Sequence, residues 1–288
     1  MPRQDIFSTS GLTMALDTVP TFEYGMLVQP ARRVIVPYKA QGIYSISSTK
    51  RYPLGSKLDL GDRVFRYALV GTIAAVAGKL YEAPAKGGAA GTNTIEGKTV
   101  PSDVAAGASA ITVTVPNDAA ADAFEANQFA DGYITIATGT LAADGVGQTF
   151  KVKSHPAAAR NASCVLTLYD KIPVEIDVSE GVTYSLVASP WSKVVISPAA
   201  AAGTGRSIGW PLVAVTAAYY AWFQTKGILG ALLDSDVVAG NPLVKDGSTA
   251  GAITTQVVNA GYLLVPTVAH AYADADTGEY GLVDACID

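Results

Sequence analysis

The sequence predicts an all-β fold: an extended N-terminal arm, a β-barrel- or sandwich-like body, and a second β domain inserted in that body or set beside it. Three observations carry the prediction. Short runs rich in Val, Ile, Thr, Tyr and Phe recur along the 288 residues, separated by Gly, Pro or Asp at spacings typical of sandwiches and barrels. Helical periodicity is nearly absent; Asp118–Ala130 alone reads as a helix, with Asp118 as its N-cap and Glu125 on its polar face. Two stretches, Gly61–Pro84 and Tyr219–Asp246, share one design: an aromatic strand, a Gly break, an apolar run and an exit strand.

Taken in order, residues 1–60 read as the arm. Turn residues (Gly11, Pro20, Gly25, Pro30, Pro37, Gly42, Pro53, Gly55) interrupt short β-prone pieces at Arg33–Val36 and Gly42–Ser47. Such a segment is too broken to make its own core and too apolar for a typical disordered tail, so it is expected to lie as an extended arm on another surface, the alternative being a segment folded back over its own body. Residues 61–92 hold the first part of the body and a small-residue linker, Ala85–Thr92. In 61–84, Val64, Phe65 and Tyr67 are β-formers, Gly71 breaks the run, and Ile73–Val76 leads to Leu80 and Tyr81.

Residues 93–190 read as the inserted β domain, with strands at Ala110–Val115, Gly132–Ala137, Thr149–Val152, Cys164–Tyr169, Val174–Val178 and Val182–Val187. Residues 191–288 complete the body. Their strands are expected at Leu212–Thr216, Tyr219–Thr225, Ile228–Leu233, Pro242–Val244, Ile253–Val258, Leu263–Val268 and Gly281–Ile287. Period-2 alternation sends Tyr220 and Trp222 to one face and Tyr219 and Phe223 toward the other. One face then fills the core, and these four aromatics become candidates for an oligomer contact.

Hydrophobic residues make up 49% of the chain and charged residues only 16%, below the roughly 25% usual for soluble domains, so much of the surface is expected to be covered by partners. No apolar run reaches the roughly 18 residues of a membrane span, and MPRQDIFSTSG lacks the apolar core of a signal peptide. Synthesis in a cytoplasm with no membrane partner is the expectation, with Cys164 and Cys286 reduced. The formal charge of −5 is uneven: residues 1–60 hold seven Lys/Arg against four acids, and the other 228 residues hold 13 against 21. An acidic body argues against nucleic acid as a partner, because phosphate neutralisation supplies most of that affinity. The basic arm suits an acidic protein surface instead.

No constellation for catalysis, cofactor or metal emerges. Gly205-Arg206-Ser207-Ile208-Gly209 fits the nucleophile-elbow pattern, with Asp234, Asp236 and His270 following in hydrolase order. The strand before Ser207 and the helix after it are missing, and a Gly-rich connector is the better reading. Asp274, Asp276 and Glu279 around Gly278 offer carboxylates suited to calcium, but read better as a hairpin turn. His155 and His270 are the only histidines, too few for a zinc site with two distant cysteines.

The phrase Leu54–Pro84, together with Ala239–Leu243, Gly261–Leu264 and Tyr280–Asp288, resembles a family of tailed-bacteriophage virion proteins encoded near major capsid genes. More loosely, it is similar to the β-rich decoration or cement proteins of phage heads. The resemblance implies a non-enzymatic structural protein, made in the host bacterial cytoplasm. It would bind the major capsid protein on the capsid exterior, stabilise the head, and assemble as a homotrimer. Arm residues Tyr24, Arg32, Arg33, Tyr38, Tyr44 and Arg51 are then the candidate shell contacts, since extended pieces bearing Tyr suit strand addition to a neighbouring edge. A tail-fibre or adhesion module, and a serine hydrolase built on Ser207, are the alternatives.

Overall fold

A computed structural model of the chain describes the backbone of residues 21–23 and 26–28, and residues 41–85, 93–117, 123–138, 145–178, 181–199, 203, 205–256 and 267–288. The chain divides into two compact units, Met1–Gly42 and Ile43–Asp288. Within the first, β1 (Thr21–Glu23) and β2 (Met26–Val28) pair antiparallel as a hairpin, Phe22 opposite Leu27. The expected piece Arg33–Val36 lies outside the described residues.

The second unit is all-β, and no helix occurs among its described residues. Two curled antiparallel sheets, each a half-barrel, form a sandwich-like body. The smaller sheet takes all its strands from residues 94–187: β6 (Thr94–Thr99), β7 (Ala110–Thr114), β8 (Tyr133–Thr138), β9 (Thr149–Ser154), β10 (Ser163–Leu168) and β11 (Thr183–Val187), in the order β6-β11-β8-β9-β10-β7. Alternation decides which side faces in. In β7, Ile111 and Val113 are buried between half-buried neighbours, and Ile134, Ile136, Val152, Leu166 and Leu186 do the same on the other strands. Each such side chain removed from water stabilises the fold by about 2 kcal/mol. Tyr184 spans the interior, its hydroxyl donating to Thr114 O at 2.9 Å.

The larger sheet draws on segments before and after the smaller one. Its strands are β3 (Lys57–Asp59), β4 (Val64–Leu69), β5 (Tyr81–Glu82), β12 (Val195–Ile196), β13 (Ser207–Pro211), β14 (Tyr220–Leu232), β15 (Pro242–Lys245), β16 (Ile253–Thr255), β17 (Ala269–Ala271) and β18 (Tyr280–Cys286). The 13-residue β14 is its axis. One edge pairs with β4, Phe223 opposite Arg66; the other pairs first with β13, Trp210 opposite Gln224, and then with β18, Leu229 opposite Val283. The sheet curls until its ends meet, Leu80 N donating to Gly251 O at 2.7 Å and Gly251 N to Ser197 O at 2.8 Å. Trp210, Leu229, Leu243, Ile253 and Val283 fill the curl.

The two stretches of like design therefore pair with each other through β4 and β14. The loop of the first stretch meets the segment before β14, where Ala75 bridges Val215, and similar isolated bridges join Val237 with Ala275 and Val104 with Ile176.

Several expected elements differ. Residues 123–130 form turns rather than part of a helix: Phe124 bridges Ala158, and Asn127 takes φ 60, which ends any helical run. Residues 42–47 are a turn, with Ser47 alone bridging Tyr220. Val174–Val178 contributes one bridge, at Ile176. The strand expected at Leu212–Thr216 lies earlier, at Ser207–Pro211, and Tyr219–Thr225 and Ile228–Leu233 are one strand. Most of Leu263–Val268 lies outside the described residues.

Candidate functional site

Curling brings four strands of the larger sheet and the segment before β17 around a recess of about 420 Å³, lined by Glu82 of β5, Ser207 of β13, Lys245 of β15, Thr267 and Val268 before β17, and Cys286 of β18. Glu82 and Lys245 are both sheltered, with Lys245 Nζ 3.3 Å from Glu82 Oε1, and the same oxygen accepts from Ser197 Oγ at 2.7 Å. Strand pairing explains the placement: Glu82 lies opposite both Val195 and Ser207, so its carboxylate is locked between two neighbours. Arg206, at the rim, stacks its guanidinium over the Trp191 ring at 5.3 Å.

Ser207 opens a strand that continues to Pro211, so the strand-to-helix turn that would expose a nucleophile is absent at this motif. His270 sits on β17, with β18 and β14 between it and β13 in the sheet order. The two acids that would complete the hydrolase order are engaged elsewhere. Asp234 accepts from the hydroxyls of Ser248 and Thr249, and Asp236 Oδ1 accepts from Thr277 N at 2.9 Å and Thr277 Oγ1 at 2.7 Å. Those hydroxyls hold both carboxyl groups below the usual Asp value. In the Asp274–Glu279 turn, Asp274 Oδ1 accepts from Ala239 N at 2.8 Å, tying this loop to its bridged partner. Among the described residues no three His, Cys, Asp or Glu side chains converge as a metal site.

His155 is buried in the smaller sheet's core against Phe124 and Phe129, and both ring nitrogens are occupied. Nε2 accepts from Phe129 N at 3.0 Å, which leaves Nδ1–H to donate to Pro156 O at 2.9 Å and fixes the tautomer. Cys164 Sγ lies 3.8 Å from Nδ1, but burial pushes its thiol pKa up, so the pair has the character of core packing. Burial lowers the His155 pKa from 6.5. Above pH 6.5 both folded and unfolded chains hold the ring neutral; below it the unfolded chain takes up a proton first. Stability is therefore full above about pH 6.5 and falls as pH drops, by up to about 1.4 kcal/mol per pH unit, until the folded ring titrates. Urea midpoints at pH 7.5, 6 and 5 should decline for the native chain and decline less for His155→Gln.

One buried acid with three partners was not singled out by sequence. Asp131, at φ 61 just before β8, has a fully buried carboxylate that accepts from Lys50 Nζ, from Leu54 N at 2.8 Å and from Tyr169 Oη at 2.9 Å. Lys50 and Leu54 precede β3 of the larger sheet, while Asp131 and Tyr169 belong to the smaller one. This carboxylate is thus a joint between the sheets. An Asp-Gly pair in the sequence signals only a turn.

Tyr24, Arg32, Arg33 and Tyr38 lie outside the described residues. Tyr44 and Arg51 are exposed at the start of the second unit. The aromatic run divides between two faces as alternation predicts. Tyr220 and Trp222 join Tyr52 and Tyr67, with ring centroids 5.0–5.8 Å apart, while Phe223 meets Tyr81 at 5.6 Å. Trp222 and Phe223 are buried within this chain, and Tyr219 and Tyr220 are half-buried against the same core.

No family model, curated protein or solved structure matches this chain.

Proposed function

We propose that this chain is a structural protein of a phage particle, a decoration or cement protein that binds the major capsid protein on the outer surface of the head and assembles into a closed oligomer. The particle comes from the resemblance of Leu54–Pro84, the stretch that supplies β3, β4, β5 and the bridge at Ala75. The observation that carries the reading is a contrast in how side chains are used. Groups capable of chemistry (Asp131, His155, Asp234, Asp236) are consumed by structural hydrogen bonds, while large apolar side chains such as Ile73, Tyr272 and Leu282 stand out in solvent. Exposed apolar surface on a chain with few charges suits burial against neighbours.

The test mixes purified chain with heads that lack it and sediments them. The full chain is expected to pellet with the heads at saturable occupancy. A variant carrying Arg32→Glu and Arg33→Glu should bind more weakly, with the deficit shrinking as salt rises, because the arm supplies positive charge to the shell. A full chain that stays in the supernatant at micromolar concentration overturns the proposal.

A further inference from the structure

The outer face of β14, β18 and β17 carries apolar side chains in a defined register. Along β18 the exposed positions are Tyr280, Leu282, Asp284 and Cys286, alternating with buried Gly281, Val283 and Ala285. Cross-strand pairing sets Leu282 beside Gly230 and Asp284 beside Ile228 on β14; on the other flank Tyr272 N donates to Leu282 O, which sets Tyr272 beside Leu282. Tyr272, Leu282 and Gly230 thus form one row across β14, β18 and the residue that follows β17. Tyr280 lies in the next row and Ile228 in the previous one. These four large side chains remain 43–58% exposed.

Gly230 is the second observation. It lies inside a strand, its φ is not in the left-handed region, and a Cβ built there meets nothing within 4 Å. Neither backbone conformation nor packing inside the chain calls for glycine here, although glycine weakens a strand interior. Its effect is a notch on the outer face, directly beside the protruding Leu282. A mid-strand glycine of this kind suits the close approach of another surface.

We infer that this face is the contact between copies of the chain in its closed oligomer. The inference rests on the oligomer part of the function proposed above. A second copy is the occupant that the face itself describes. Bump and notch belong to the same patch, so one copy can offer both to another. Besides His270, which lies opposite Asp284 on β17, the face carries one cation, Lys226, and one anion, Asp284, whereas residues 61–288 hold 21 acids against 13 bases. Copies meeting here avoid the like-charge repulsion that other parts of this acidic body would impose, and Lys226 and Asp284 can pair across the contact.

Light scattering on the purified full chain at micromolar concentration tests this. The native chain is expected at a multiple of 29.6 kDa. Leu282→Asp, which places a charge on the bump, and Gly230→Gln, which fills the notch, should each shift the mass to that of one chain, with the β-sheet circular dichroism retained. Ile73→Asp, an exposed apolar position off these three strands, should leave the mass unchanged and controls for general loss of apolar surface. If Leu282→Asp and Gly230→Gln keep the native mass, the face is not the contact, and head binding by the native chain still stands or falls on its own assay. A native chain of 29.6 kDa overturns both the oligomer and the contact assigned to it.

Discussion

Asp131→Ala is expected to lower the unfolding free energy by about 3 kcal/mol, the low end of what removing one partner of a buried ion pair costs. The low end applies because Lys50 is partly exposed and regains water, whereas Leu54 N–H is left buried without its acceptor. The loss should also be localised. Lys50 and Leu54 come from the approach to the larger sheet and Tyr169 from the smaller, so the variant should open the joint before either core unfolds. Urea unfolding followed by tryptophan fluorescence reads the total, and hydrogen exchange at Leu54 N–H reads the local opening. A change below about 1 kcal/mol would mean that the carboxylate is not the joint.

Gly227→Ala should cost about 3 kcal/mol, while Gly230→Ala, three residues along the same strand, should change stability by less than about 0.5 kcal/mol. Gly227 has φ +89, and a Cβ there would stand 2.1 Å from the backbone oxygen of Asp62. An L side chain is strained by the backbone conformation alone, and the contact with main chain cannot be relieved by turning a side chain. Gly230 has ordinary strand geometry and open space above it. Denaturant midpoints of the two variants, measured side by side, separate a glycine that shapes the strand from one that shapes the surface. Equal losses would contradict the distinction.

The strands legible in the sequence are those with one wet and one dry side. The patterns of β7 and β18 alternate along their whole length, and both lie within two residues of where alternation puts them. β14 was harder to read for a physical reason. Its first half is covered on both faces and its second on one, and Gly227, which reads as a break, sits at φ +89 inside a continuous strand, just past a register shift at Gln224–Lys226. The stretch Asp118–Ala130 has the composition of a helix, but in its described part, residues 123–130, the chain turns to place Phe124 in the core beside Phe129 and His155. The Asp131 joint could not be read at all, because Lys50 is 81 residues away and nothing local marks the pair. Nor does the sequence mark Glu82 or its partner Lys245, 163 residues on, whose pairing follows only from the curl of the sheet. The surface row at Gly230 and Leu282 likewise needs the register of β14 on β18.

Imaging of native particles that contain this chain, by cryo-electron microscopy, tests the proposed role most directly. The proposal predicts regular density for the β body on the outside of the head, repeated over the shell in contact with the major capsid protein, with copies joined through the face of β14, β17 and β18. Density confined to the tail, or a head surface free of this chain, would contradict it.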